Sequence, residues 1–328
     1  MNVRPFLLPA LLALAWSAAV SAQEGSIIQR DTVVVTGTIR LPATLTLPAG
    51  AVHAPAIVLV HGSGPNDRDE TVGANKPFRD LAIGLAQHGV ATLRYEKRSR
   101  AAPLSFMGHP FTVDDEVVDD ALSAAALLRS MPEVDPKRVV VLGHSLGGTL
   151  APRIAQRDST LAGLIILAGA TRPLPDMIDA QFAYLRALPG ADTAAIDKAL
   201  ASMAPGLAAV RALTPADSAS KKLVLGAPAA YWLDLAGYDP VRVAATLRLP
   251  ILILQGGRDY QVTEVDLAAW RAGLGGKRNV QIREYPALNH LFIAGSGLSS
   301  PEEYGVAGTV DPKVIADIAA WVKALPRR

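Results

Sequence analysis

Gly143-His144-Ser145-Leu146-Gly147, followed by Gly148, sets a serine among glycines directly after the apolar run Val139–Leu142 and ahead of an Ala-rich helical stretch. A serine oxygen lifted out at a sharp strand-to-helix turn can attack a carbonyl. Glycines on both flanks let the backbone make that strained turn without clashes. The chemistry is acyl transfer through a covalent acyl-serine that water then releases. A bare Gly-x-Ser-x-Gly is common by chance, and its seat between a buried strand and a helix is what separates it from a glycine-rich turn with a helix-capping serine. A second glycine cluster, His61-Gly62-Ser63-Gly64, follows the apolar run Ala56–Val60. A developing oxyanion needs two backbone N–H donors, one after the nucleophile and one from the loop after an early strand. Leu146 is the candidate for the first, and Ser63 is chosen over Gly62 and Gly64 for the second. A phosphate-binding loop is the competing reading, but this cluster lacks the GK[ST] ending and does not open directly into a helix.

The run His61-Gly62-Ser63-Gly64-Pro65-Asn66-Asp67-Arg68-Asp69-Glu70, taken with Gly143–Gly148, resembles the α/β-hydrolase superfamily over about residues 45 to 325. Within it, the chain is similar to a bacterial branch of exported serine hydrolases related to prolyl-oligopeptidase-like and acyl-esterase domains. The resemblance implies a Ser-Asp-His order along the chain. Asp259 follows the apolar run Ile251–Leu254 and stands in the superfamily's Gly-x-x-Asp-x-x-Val pattern, Gly256 to Val262. A carboxylate there accepts the base's N–H and fixes its tautomer. Asp234, Asp239 and Asp266 rank below it, the first two within a long insertion and the third in the next helix. His290 lies in the loop after Val280–Tyr285, where a histidine can reach over the nucleophile. Of the other histidines, His88 ends a helix before Gly89, where a cation suits the dipole. His53 sits in a connecting turn, His144 is turned away by the elbow, and His109 is the one rival.

These residues need a frame. Ala56–Val60, Val90–Leu93, Val139–Leu142, Leu164–Leu167 and Ile251–Leu254 are short continuous apolar runs that alternate with helical segments. Such runs imply burial on both faces, hence an α/β fold with a mainly parallel central sheet and helices on both sides. Thr32–Ile39 and Ala43–Leu47 are β-rich and broken by Gly and Pro, which predicts an antiparallel start to the sheet. Thr112 with Asp115 resembles a capping box, with Asp114, Asp115 and Glu116 at the positive helix end. Val117, Val118, Ala121, Leu122, Ala125 and Leu128 give the buried stripe that follows. About residues 172–248, rich in Ala, Leu and Pro and helical in period, are too long for a loop and are read as a helical cap insertion. In it Tyr184, Tyr231 and Trp232, with Met177 and Phe182, are candidates to line an acyl pocket, against the alternative that they are simply core. Two charged runs, Asp67–Glu70 and Arg94–Arg100, each follow a strand at one sheet edge, and mutual ion pairs between the two loops are favoured over selection of an acidic substrate.

The N-terminus reads Met-Asn-Val-Arg, then an apolar run to Val20, then Val20-Ser21-Ala22. This is the pattern of a signal peptide over residues 1–22, with residues 23–328 as one hydrolase domain exported to the periplasm or the medium. No stable membrane anchor is expected, since the run is short and contains Pro9 and Ser17. With Lys plus Arg at 32 against 30 acids, the charge balance points to neither nucleic acid nor an anionic surface. The absence of cysteine rules out a Cys nucleophile, a thiolate metal site and disulfides. The expected function is hydrolysis of a carboxylic ester or thioester of a small-molecule acyl substrate, with no cofactor and no metal required. An aminopeptidase or other amide hydrolase shares the constellation, although too few residues precede the sheet for a β-propeller. A non-catalytic binding module on the same fold is the rival from another class, and modules of that kind usually lack a triad member.

Overall fold

The computed structural model describes residues 27–326, so the predicted signal peptide lies outside the described residues. The chain starts with strands β1 (Ile27–Thr36) and β2 (Ile39–Pro48), an antiparallel pair turned at Gly37. Pro42 does not break β2 as its residue type suggests. Its carbonyl accepts the Glu96 N–H at 2.8 Å, so the polar atoms of Pro42 face the end of the Ala91–Tyr95 strand, and the missing N–H costs no ladder bond to β1, where Pro42 stands opposite Val33. Then follow β3 (Ala54–Val60), α1 (Pro77–Gln87), β4 (Ala91–Tyr95), a short α2 (Arg98–Ala101), α3 (Asp119–Ser130), β5 (Val134–His144), α4 (Leu146–Arg157) and β6 (Gly163–Leu167).

Between β6 and the next long strand the chain makes α5 (Leu174–Arg186), α6 (Thr193–Arg211), a tight hairpin of β7 (Leu223–Val224) and β8 (Ala227–Pro228), α7 (Ala229–Ala236) and α8 (Pro240–Thr246). The sheet resumes with β9 (Ile251–Gly256), α9 (Glu264–Leu274) and β10 (Val280–Tyr285), and α10 (Pro312–Ala324) closes the described chain. Among the described residues no helix is long and apolar enough to cross a membrane.

Eight strands form one sheet in the order β1-β2-β4-β3-β5-β6-β9-β10, parallel from β4 to β10. Every residue of β3, β4, β6 and β9 is buried, because helices cover both faces. Two apolar clusters result, one per face. The first gathers Val58, Val141 and Ile166 against α3 and α4, and the second gathers Leu59, Leu142 and Leu254 against α1 and α10. The predicted stripe of α3 differs by one residue: Leu122 is only partly buried, and Ala124 is buried instead. The helix is entered through a π turn, Asp114–Val118, which rotates Glu116 inward rather than leaving it at the solvated helix end.

The two outer strands carry charge. On β1, Arg30 pairs with Glu133 at 2.9 Å and Asp31 with Arg68 at 3.2 Å. On β10, Arg283 pairs with Asp317 at 3.0 Å and Glu284 with Arg271 at 2.7 Å.

Candidate active site

The carboxyl ends of β3, β5, β9 and β10 bring four sequence-distant segments together. Ser145 sits between β5 and α4 at φ 53°, ψ −117°, a left-handed conformation that a residue with a side chain adopts at a cost of about 1–3 kcal/mol. The turn is held because its N–H donates to Leu167 O at 2.9 Å on the neighbouring strand. Its glycines are steric requirements: a Cβ on Gly143 would lie 2.1 Å from Gly147 O, and one on Gly147 would lie 2.3 Å from Val60 O. Leu146 is the first residue of α4, so its N–H has no partner within the helix and points out of the positive helix end.

Asp259 follows β9, and its side chain is wholly buried. Its Oδ1 accepts the N–H groups of Gln261 at 2.8 Å and Val262 at 3.0 Å. Its Oδ2 accepts Gln255 Nε2 at 3.1 Å and lies 2.7 Å from His290 Nδ1. That contact makes Nδ1 the protonated nitrogen and leaves Nε2 as the basic one. The loop carrying His290 is braced by Asn289, whose Oδ1 accepts the N–H groups of Leu291 and Ile293 and whose Nδ2 donates to Glu303. Glu303 is itself paired with Arg258, the residue before Asp259.

The other aspartates have structural partners. Asp234 pairs with Arg153 at 2.9 Å, Asp239 caps α8, and Asp266 caps α9 while pairing with Arg172 at 2.7 Å. His109 faces carbonyls of its own loop, at Ser105 and Pro110, and His88 lies 2.7 Å from Gly84 O at the end of α1.

His144 has more to do than its place beside the serine suggests. Its Nε2 lies 3.0 Å from the carbonyl of His290, and its Nδ1 lies 2.9 Å from Glu70 Oε2, off hydrogen-bond linearity but at ion-pair distance. Both nitrogens therefore face acceptors, the arrangement of an imidazolium. Burial by itself would lower the pKa of His144, but the Glu70 carboxylate, together with the His290 carbonyl and Asp259, outweighs it, and the net shift is upward. In Glu70 burial pushes upward, while His144, then His61 and the Gly62 N–H, hold it below the usual carboxylate value. His61, between Phe78 and Tyr95, is pushed the other way: burial, offset in part by Glu70, lowers it to about 4.

Gly62 lies over the elbow, where a Cβ would stand 3.0 Å from that of Ser145. Its N–H donates to Glu70 Oε1 at 2.6 Å. Its carbonyl accepts Lys97 Nζ at 2.8 Å and Asn66 Nδ2 at 3.2 Å. Lys97 pairs in turn with Glu116 at 3.2 Å, whose other oxygen accepts the Tyr231 hydroxyl at 2.9 Å. The two charged runs pair as well: Arg94 and Lys76 hold Asp69, and Arg68 and Arg100 hold Glu96.

Of the aromatic residues expected at a pocket, Tyr231 and Trp232 are buried in the apolar cluster around α7, and the Trp232 indole N–H donates to Val224 O at 2.8 Å. Tyr184 stands elsewhere, stacked on Tyr260 with ring centroids 5.2 Å apart and its hydroxyl on Ser299 O. Met177 is buried against the other face of the sheet. Sequence reasoning placed Glu70 and Lys97 only within the charged runs and Glu116 at the positive helix end, and assigned none of them to the site. They stand in or beside charged runs, and such runs ordinarily mark solvated surface.

A strained serine after the central parallel strand, with the Asp259 and His290 loops leaving the same end of the sheet, is the arrangement of the α/β-hydrolase class. The chain belongs to the alpha/beta hydrolase family, whose model matches residues 57–304. Esterase EstD of Thermotoga maritima is 44% identical over 283 residues, 86% of this chain and 65% of that protein, so the chain spans less than two thirds of its relative's length. Among solved structures, Est1E of Butyrivibrio proteoclasticus with ferulic acid bound gives a TM-score of 0.58 at 15% identity, covering 89% of this chain and 99% of that one. The esterase of Pyrobaculum calidifontis gives 0.57 at 17%, covering 92% and 87%. Identities that low show a shared fold.

Proposed function

We propose that this chain is a serine hydrolase that cleaves carboxylic esters through an acyl-enzyme, with Ser145 as nucleophile, His290 as general base and Asp259 as its orienting acid. The observation that carries the reading is the buried Asp259 carboxylate 2.7 Å from His290 Nδ1, on loops that leave the same end of the sheet as the Ser145 elbow. The similarity to EstD supports an ester as the substrate class.

His290 Nε2 takes the Ser145 proton as Oγ attacks the ester carbonyl. The N–H groups of Leu146 and Ser63 receive the tetrahedral oxyanion, and the alcohol leaves with the proton returned by His290. Water, deprotonated by the same nitrogen, then releases the acid. The commitment of the Gly62 N–H to Glu70 favours Ser63 as the second donor. The segment from α5 to α8 is the cap of the same reading, set to shape the acyl site. Residues 1–22 are its removable leader, and amino-terminal sequencing of exported protein tests that.

The central test is hydrolysis of p-nitrophenyl esters from acetate to palmitate by the purified protein beside Ser145→Ala. Saturable turnover that vanishes in the variant is the expected result. Equal activity in both proteins would remove Ser145 from the mechanism.

A further inference from the structure

We infer that Lys97 is a positioning residue for the oxyanion donor: its ammonium, bound to the Gly62 carbonyl, aims and polarises the Ser63 N–H of the same peptide unit. The inference rests on the reading of Ser63 N–H as an oxyanion donor.

The peptide plane ties the two groups together. Among the described residues every peptide bond is trans, so the Gly62 C=O and the Ser63 N–H are opposite ends of one rigid dipole. A group that fixes the carbonyl in direction fixes the N–H in the opposite direction. Lys97 Nζ at 2.8 Å and Asn66 Nδ2 at 3.2 Å occupy both acceptor directions of that oxygen. The preceding peptide is fixed by charge of the other sign, through the Glu70 carboxylate on the Gly62 N–H at 2.6 Å. Gly62 is thus gripped at both its polar atoms while its Cα rests against the nucleophile.

Lys97 is 2% exposed, so its charge acts with little screening by water. A cation on the carbonyl oxygen draws electron density along the amide and makes the attached N–H a stronger donor, as in any chain of hydrogen bonds that polarise one another. Loop support alone would not need a charge, because Asn66 already provides a neutral donor. The ammonium is balanced by Glu116, turned inward by the π turn, and Glu116 is held by Tyr231 on α7. The strength of the oxyanion site is thereby linked to a helix of the inserted segment.

The test compares Lys97→Met, Lys97→Gln and the double variant Lys97→Met/Glu116→Gln, which leaves no unpaired buried carboxylate if the single change fails to fold. Two rates are measured on folded protein: turnover of a p-nitrophenyl ester and covalent labelling by a fluorophosphonate. The expected result is a kcat lowered about 10- to 100-fold with KM changed less than about threefold, and labelling slowed in the same proportion. That loss is smaller than the hundred- to thousandfold typical of deleting a donor outright. Lys97→Gln, which can still bond the carbonyl without charge, should fall between wild type and Lys97→Met.

A folded double variant with kcat within threefold of wild type overturns the inference. So does a change confined to KM or to melting temperature. If wild type is labelled but cleaves no ester, the substrate reading fails while the labelling rates still decide the role of Lys97. If wild type is not labelled at all, the reading of Ser145 fails and the inference falls with it.

Discussion

At the scale of single residues, the site places opposite demands on neighbouring groups, and each has a measurable consequence. Replacing Ser145 by Ala should lower kcat by about six orders of magnitude, and replacing Asp259 by Asn by about four, because the amide cannot hold the productive tautomer of His290. Steady-state kinetics with circular dichroism as a check on folding decides both. The three buried ionisable groups beneath the elbow also make stability depend on pH. His144 has a folded pKa above its usual 6.5, so its contribution is complete below pH 6.5 and is lost as pH rises through the folded value. Glu70 lies below its usual 4.5, and its contribution is present above that pH and lost as pH falls through the folded value. His61, lowered from 6.5 to about 4, costs stability as pH falls through that interval, because the unfolded chain takes up the proton first. The melting temperature should therefore peak near pH 6.5 and fall on both sides. In Glu70→Gln/His144→Gln the alkaline limb should flatten. A wild-type melting temperature that climbs steadily from pH 5 to 8 would contradict this assignment of charges.

At the scale of elements, β5, the elbow and α4 form one sterically closed unit. Gly147→Ala would bring a Cβ to 2.3 Å from Val60 O and 2.6 Å from His61 O, both backbone atoms that cannot swing aside. A loss of about 3 kcal/mol in urea denaturation is expected, the upper end for overpacking, with activity falling as β3 and α4 are pushed apart. This unit was legible in the sequence because its signal is local: glycines, a serine and an apolar run fix the turn by themselves. The meeting of Asp259 with His290 was legible through the strands that precede them and the pattern of the resemblance. The buried network of Glu70, Lys97 and Glu116 was not, since nothing in a charged run tells which member the tertiary fold will bury. The π turn that brings Glu116 inward also leaves no mark that distinguishes it from an ordinary helix start. The strand through Pro42 was hidden for a similar reason. Whether proline breaks a ladder depends on which neighbour stands beside it, and that is a property of the assembled sheet.

At the scale of the whole molecule, the inserted segment is joined to the sheet domain by buried charge as well as apolar packing. Asp266, wholly buried, accepts the N–H and hydroxyl of Thr171 and the guanidinium of Arg172, just where the chain leaves β6 for α5. Arg153 on α4 holds Asp234 on α7, and its guanidinium lies 4.4 Å from the ring centre of Tyr238. Asp266→Ala should cost about 3 kcal/mol, as expected when one partner of a buried pair is removed. Limited proteolysis should then cut within residues 172–248 faster than in wild type. Unchanged cleavage there would mean that the root of the insertion is held by other contacts.

The outermost strands bear on how copies of the chain can meet. A parallel sheet that stops at an open ladder offers unpaired N–H and C=O groups to any strand of similar length, the usual beginning of edge-to-edge aggregation. Here β1 ends the sheet with Arg30 and Asp31, and β10 with Arg283 and Glu284, each already engaged by an ion pair within the same chain. Extending the sheet into a second copy would require those pairs to be broken or desolvated. Charged margins of this kind disfavour the addition of a further strand.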